Sequence, residues 1–235
     1  MSTLLIRLAG PLQAWGTDSK FNKRMTGREP TKSGVVGLVA AALGLRRTDD
    51  AAKLCKLRFG VRVDQPGKLV VDFHTARRHD GKSDITHRYY IADAVFLAGL
   101  EGEEPLLKEI DAALKTPWFP LFLGRRACPP VGQLSLGVRD GAALMEALRD
   151  EPWQAAGWYK AKTERAEMEI VRDAVPEDNY AFTVRDQPLS FDQVHRRYTF
   201  RPVVSDINAV KIINLAQKPD LPETPTSHDA MAEVP

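Results

Sequence analysis

Apolar and polar residues alternate along several short segments, a pattern typical of β-strands with one buried face. The first such segment is 4–9, and the most regular is 57–63, in which every second residue is apolar. After a turn at Pro66-Gly67 the alternation returns over 69–73, and we expect this segment to pair with 57–63. The pattern therefore predicts a strand at each of the three segments.

Two other segments repeat their apolar residues at helical spacing. The segment 34–45 is apolar nearly all round, and it follows Thr31 and Ser33, either of which can be the N-cap. The segment 104–115 carries a single apolar stripe and has Pro105 in its first turn, where proline is favoured. We expect the first helix to be covered on both sides and the second to bury one face.

The order of these elements predicts the fold class. Strand, helix, strand, strand and helix, followed by a strand at 121–123 or 133–138, make an α+β fold of the ferredoxin-like βαββαβ type. Helices would then cover one face of the sheet and leave the other face open. We expect this domain at 1–140, a β-rich region at 141–215 that forms a second, smaller sheet, and a disordered, acidic, Pro-rich tail at 216–235.

Residues 75–90 break the strand alternation and predict a hairpin arm that protrudes from the sheet, with a turn signal at Asp80-Gly81. The aromatic pair Tyr89-Tyr90 lies at the base of the arm. Arginine and lysine bind phosphate, and tyrosine stacks on unpaired bases, so the arm suits a nucleic acid. Its basic residues are Arg77, Arg78, Lys82 and Arg88.

A basic segment also precedes the first helix, and it makes the helix start a candidate anion site. Up to residue 47 the chain has eight Lys or Arg against two acids. The unpaired amides of a first helical turn and the helix dipole favour a phosphate beside Lys32 and Ser33. An ordinary capped helix beside a solvated loop explains the same pattern, so both interpretations stay open.

Composition narrows the class of protein. The net charge is +2 over 235 residues, with two cysteines, Cys55 and Cys128, far apart in the chain. We find no nucleotide-binding glycine motif, no metalloprotease motif, no signal-peptide pattern and no apolar run of the roughly 20 residues that span a bilayer. The sequence therefore predicts a reduced, cytoplasmic protein without a metal, a cofactor or a membrane partner.

Histidines leave a second function open. A metal-independent endoribonuclease could use histidine as general acid and base, assisted by a tyrosine or by Lys82. His74 and His87 flank the arm and could face each other across its base. A third possibility is an adaptor whose basic loops bind an acidic protein. The histidines concerned are His74, His79, His87 and His195.

A resemblance to a known family rests on three long motifs: LAGPLQAWG at 8–16, TGREPTKSG at 26–34 and LGRRACP at 123–129. They resemble the CasD family of type I-E CRISPR Cascade, which is Cas family five of the RAMP proteins. The likeness runs in register over about 4–130. Beyond residue 140 it is loose, apart from 182–188.

The resemblance implies a ferredoxin-like domain with a β-hairpin thumb that caps one end of Cascade. Such proteins hold the 5′ handle of CRISPR RNA and contact the CasC backbone subunit and the large CasA subunit. They are non-catalytic, because a separate CasE endonuclease cuts the RNA. Some relatives in other systems cut it with a Tyr, a Lys and a His, a set with no clear counterpart in this sequence. We expect RNA contacts from Gln13, Trp15, Lys23, Arg24, Arg28, Lys32, Ser33, Arg77, Arg78, Lys82, Arg88, Tyr89, Arg125 and Arg126.

Overall fold

A computed structural model describes residues 1–16, 23–77, 79, 81–192 and 196–213. The strands are β1 (Ser2–Ala9), β2 (Leu12–Gln13), β3 (Lys23–Arg24), β4 (Arg58–Gln65), β5 (Lys68–Arg77), β6 (Ser83–Ala92), β7 (Val95–Gly102), β8 (Ser135–Arg139), β9 (Arg165–Asp173), β10 (Phe182–Ser190) and β11 (Arg197–Ile213). The helices are α1 (Lys32–Ala42), α2 (Ala52–Cys55), α3 (Glu104–Lys115), α4 (Leu144–Asp150) and α5 (Gly157–Lys162). The α+β class predicted from the sequence is confirmed.

One seven-stranded sheet forms the centre of the fold, with strand order β10-β11-β9-β4-β7-β1-β8. Every neighbouring pair in this sheet is antiparallel. Strand β8 overlaps the predicted window 133–138 and ends one residue beyond it, whereas 121–123 is not a strand. Helix α3 has the predicted bounds, and its stripe Leu107, Ile110 and Leu114 is buried.

Alternating residues of β1 divide the core into two layers. Leu4 and Ile6 pack in a cluster that includes residues of α1 and α3. Leu5 points to the other face and packs with Leu144 and Leu148 of α4. The prediction that the second face would stay open is therefore wrong. Burying one such leucine stabilises the fold by about 1.5–3 kcal/mol, and α4 supplies the cover.

The arm is longer than the sequence predicted, and its strands pair differently. Strand β5 pairs along its whole length with β6, from Lys68↔Ala92 to Arg77↔Ser83, and not with β4. Strand β4 already has β7 on one edge and β9 on the other, so it offers β5 no free edge. Strands β2 and β3 join β6 to complete a second, four-stranded sheet.

The second sheet expected in 141–215 is also wrong, because β9 pairs with β4 and carries β10 and β11 into the main sheet. The predicted tail, 216–235, lies outside the described residues. In the part of the chain that is described, no helix has both the length and the apolar composition needed to cross a bilayer.

Arg62 shows how β4 fixes a helix end. The sequence pattern placed it on the polar face, but its side chain is fully buried. It pairs with Asp64 through two hydrogen bonds of 2.7 and 2.9 Å. Its other three N–H groups donate to the carbonyls of Leu148, Glu151 and Pro152, at and beyond the end of α4. All five donors of the guanidinium are thus used, which offsets the cost of burying the charge.

The loop 117–130 has no helix or strand, as its prolines predicted, and Gly124 lets it approach the segment that follows β2. The φ of Gly124 is +85°, and a Cβ there would lie 1.7 Å from the carbonyl oxygen of Ala14. The amide of Ala14 in turn donates to the carbonyl of Leu123 at 3.1 Å. Two backbones therefore meet where only a glycine fits.

We predict that Gly124→Ala lowers the free energy of unfolding by about 3 kcal/mol or more, because the overpacking adds to the strain of a positive φ. Gly141→Ala is the matched control, since Gly141 has a φ of +73° with open space around it. That variant should lose only about 1–2 kcal/mol. Urea unfolding of both variants measures the difference, and equal losses would show that the close approach is not rigid.

Candidate nucleic-acid interface

Three buried charged residues, Lys32, Asp186 and Arg201, and the half-buried Asp173 join the start of α1 to the C-terminal strands. The Nζ of Lys32 lies 3.0 Å from Asp173 of β9. Arg201 of β11 lies 2.6 Å from Asp173 and also binds Asp186 of β10 through two hydrogen bonds of 2.6 and 2.9 Å. Burial works against the charged form of Arg201, but its bonds to Asp186 and Asp173 outweigh this and raise its pKa. We call these four residues the ion cluster.

The ion cluster changes the expected role of the helix start. The carboxylate of Asp186 accepts a 2.8 Å hydrogen bond from the backbone amide of Lys32. Thr31, the N-cap, accepts from the amide of Gly34 at 3.2 Å. An internal anion therefore already occupies the first turn, where the helix dipole favours negative charge. This geometry favours the ordinary capped helix over the phosphate site expected at Lys32.

Gln13 and Trp15, which we expected at the RNA surface, are both fully buried. Gln13 donates to the carbonyls of Leu8 and Ala94 and accepts a 3.0 Å bond from the indole N–H of Trp15. The Trp15 ring packs against Gly34, where a Cβ would come within 2.9 Å of it. These residues fix the loop between β1 and α1 from inside rather than contact a ligand.

Arg125 also acts within the chain. Its guanidinium donates to the carbonyls of Tyr89 at 3.0 Å and Arg24 at 2.8 Å, and it makes a longer contact of 3.5 Å with that of Met25. It also lies 4.6 Å from the centre of the Tyr90 ring. Arg125 therefore ties the 117–130 loop to β3 and to the base of the β5–β6 hairpin, which corrects its predicted role as a phosphate contact.

An open cleft of about 1650 Å³ lies over α1, between the 117–130 loop and strands β10 and β11. Among the described residues, the one acid that lines it is Asp186, which the ion cluster neutralises. None of the arginines lining it forms an ion pair with another described residue, so the cleft carries a concentrated positive charge that attracts polyanions. These arginines are Arg24, Arg46, Arg47, Arg125, Arg126, Arg185 and Arg196.

The cleft contains only some of the residues that were expected from the sequence to contact RNA. Besides the buried Trp15, four of them line it: Arg24, Ser33, Arg125 and Arg126. Others lie outside the cleft lining, where they are exposed or, for Arg88 and Tyr89, half-buried, and Arg78 lies outside the described residues. Those outside the lining are Lys23, Arg28, Arg77, Lys82, Arg88 and Tyr89.

The two histidines at the arm do not face each other. His87 pairs with Phe73 across the hairpin, and their rings meet edge to face at 5.5 Å. His74 pairs with Thr86 and contacts Asp72. Successive residues of a strand point to opposite faces, so His74 and His87 lie on opposite sides of the hairpin. The expected pair across the base is wrong. His79 is exposed in the hairpin turn, and His195 lies outside the described residues.

The far sides of the cleft were not predicted from the sequence. Arg46-Arg47 follows α1, and Arg196-Arg197 lies where β11 begins, with Arg196 just before the strand. Both are tandem arginine pairs, like Arg125-Arg126, and this shared pattern was the signal that could have found them. The aromatic lining from Phe119 and Phe200 had no comparable signal, because an aromatic residue in a loop or strand is most often part of the core.

The described residues contain no group of three or more His, Cys, Asp or Glu side chains placed to hold a metal ion. The cleft is instead lined by guanidinium groups and by aromatic and small side chains. This lining can bind phosphates by charge and bidentate hydrogen bonds, and it can bind bases by stacking.

Comparisons with known proteins assign the chain to a family. The family model described as CRISPR-associated protein (Cas_Cas5) matches residues 3–204. The chain belongs to this family. The Cascade subunit CasD of the CRISPR system of Escherichia coli K12 is 31% identical over 214 residues, which cover 80% of this chain and 89% of CasD.

Two solved structures are similar to this member of the family. One is the crystal structure of a Cas protein, with a TM-score of 0.70 and 43% identity, and the match covers 87% of this chain and 94% of that one. The other belongs to a CRISPR RNA-guided surveillance complex, with a TM-score of 0.72 and 33% identity over 87% of this chain and 89% of its counterpart. The β10 and β11 wall of the cleft thus falls within the matched family region.

The ion cluster predicts that Lys32 matters for folding. Lys32→Met leaves Asp173 and Asp186 with one cation between them, and we expect the free energy of unfolding to fall by about 3 kcal/mol. Lys23→Met, at an exposed position, should change it by less than about 0.5 kcal/mol. Chemical denaturation measures both. A Lys32→Met chain as stable as the parent but weaker in RNA binding would return Lys32 to the ligand site.

The ties made by Arg125 predict a local effect. In Arg125→Ala the amides near Tyr89 and Arg24 should exchange with solvent faster, with the local opening free energy lowered by about 1–3 kcal/mol. Arg126→Ala, at the exposed neighbouring position, should leave that exchange unchanged. Hydrogen exchange followed by mass spectrometry distinguishes them, and equal protection in both variants would contradict the role assigned to Arg125.

Proposed function

We propose that this chain is a non-catalytic, RNA-binding subunit of a CRISPR Cascade surveillance complex that holds the 5′ handle of the CRISPR RNA. Its relatives support a place in such a complex, since CasD is a Cascade subunit and a solved neighbour belongs to an RNA-guided surveillance complex. A cytoplasmic ribonucleoprotein is the setting that this role requires.

The observation that carries the proposal is the arginine-lined cleft. Its positive groups come from four separate parts of the chain: β3, the end of α1, the 117–130 loop and the β10–β11 hairpin. The packing of the hydrophobic core does not explain guanidinium groups at these positions, because these groups contribute no buried apolar surface. A single RNA strand supplies the phosphates that would balance them.

The arrangement of the strands supports the expected topology. Strands β1, β4, β7 and β8, with α1 and α3, follow the βαββαβ order, and their spatial order β8-β1-β7-β4 fits a ferredoxin-like domain. The β5–β6 hairpin, inserted between β4 and β7, is then the thumb. We propose the 1–140 and 141–215 regions as parts of one cooperative unit, because they share the main sheet.

The hairpin is the proposed contact for other subunits. One of its faces exposes Leu69, Val71 and Phe73, at 64%, 53% and 58% of their full surface. An exposed apolar stripe of this kind marks a protein contact more often than an RNA contact. We assign it to the CasC backbone subunit, and we place the large CasA subunit beside the same end of the complex.

Salt dependence tests the RNA role of the cleft. Arg46→Gln combined with Arg47→Gln should weaken binding of single-stranded repeat RNA. It should also reduce the slope of log K against log salt by about 1.4 units, because two phosphate contacts are lost. Arg165→Gln, exposed on β9 and outside the cleft lining, is the control and should leave the slope unchanged. Equal slopes in all three proteins would exclude the cleft as the RNA site.

Incubation with labelled repeat RNA in EDTA tests the non-catalytic part of the proposal. We expect the RNA to remain intact, because His74 and His87 lie on opposite faces of the hairpin. A specific cut that is lost in His74→Ala or His87→Ala would replace this proposal with a metal-independent endoribonuclease.

A further inference from the structure

We infer that the C-terminal wall of the cleft, formed by Arg185, Arg196, Tyr198 and Phe200, is a stacking site for an unpaired nucleobase of the bound RNA. The inference rests on the proposed function and assigns this wall a ligand class. The wall belongs to strand β10, to the start of β11 and to Arg196 just before it, and all four residues line the cleft.

Phe200 is the centre of the site because it is exposed on a strand that cannot move freely. Its side chain keeps 62% of its surface accessible, while the next residue, Arg201, is 7% exposed. Arg201 is fixed by charged hydrogen bonds to Asp186 and Asp173. The ring of Phe200 is therefore presented to the cleft by a backbone that is anchored one residue away, and little entropy is lost when a ligand stacks on it.

The charges around the ring select the kind of ligand. Arg185 and Arg196 are both exposed and line the same cleft as Phe200. A flat apolar ring beside two guanidinium groups fits a base together with its phosphate, since every base has a π-face and every nucleotide has one negative charge. An acidic protein segment would match the charge, but it would leave the ring without a planar partner.

Phe182 provides a matched control in the same hairpin. It lies on β10, keeps 49% of its surface exposed and is not among the residues that line the cleft. A general need for exposed aromatic residues in this hairpin would affect Phe182 and Phe200 alike, whereas a stacking site would affect Phe200 alone.

The test is equilibrium binding of fluorescein-labelled single-stranded repeat RNA to the full chain. Phe200→Ala should weaken binding about tenfold or more, with the salt slope unchanged because no charge is removed. Phe200→Trp should restore affinity, and Phe182→Ala should bind like the parent. Heparin, a polyanion without bases, should bind equally well to the parent and to Phe200→Ala.

Three results would overturn the inference: parental RNA affinity in Phe200→Ala, an equal loss in Phe182→Ala, or an equal loss of heparin binding. The last of these would favour a charge-based contact, as with an acidic protein, over stacking. A parent chain that binds no RNA at all would instead overturn the proposed function, so the two failures are distinguishable.

Discussion

The neutral cluster of Lys32, Asp173, Asp186 and Arg201 determines where the rest of the site lies. It joins α1 to strands β9, β10 and β11, and the backbone amide of Phe59 on β4 also donates to Asp173 at 2.9 Å. These bonds add to the pairing of β11 with β9 and fix the position of the β10–β11 hairpin over α1, where it forms one wall of the cleft. Two acids are neutralised inside the protein, so the arginines at the surface keep their positive charge for a ligand.

Arg125 fixes the opposite side of the cleft through hydrogen bonds to the main chain. Its bonds to main-chain carbonyls connect the 117–130 loop to β3 and to the hairpin base, and Gly124 lets that loop approach Ala14 closely. The loop, the basic strand and the hairpin are therefore linked directly by hydrogen bonds. A ligand held by Arg24 or Arg126 would in this way also orient the hairpin, which is the part proposed to contact a neighbouring subunit.

Local periodicity was sufficient to predict β1, α1 and α3, because the residues that decide a strand or a helix lie within a few positions of one another. It could not give the partner of β5, because alternation specifies a buried face but not the strand that pairs with it. It also misplaced Lys32, whose partners Asp173 and Asp186 lie 141 and 154 positions away along the chain. A lysine in a buried ion pair and a solvated lysine that binds phosphate cannot be distinguished in a sequence. The β10–β11 wall of the cleft was missed for the same reason, because it is distant from α1 along the chain.

We propose that RNA lies in the cleft between the 117–130 loop and the β10–β11 hairpin. Ultraviolet cross-linking of repeat RNA that carries 4-thiouridine in its 5′ handle, followed by mass spectrometry of the cross-linked peptides, tests it most directly. We expect cross-links to Phe119, Tyr198 or Phe200, and none to Trp158, which is 54% exposed but outside the cleft lining. Cross-links concentrated at Trp158, with none in the cleft, would contradict it.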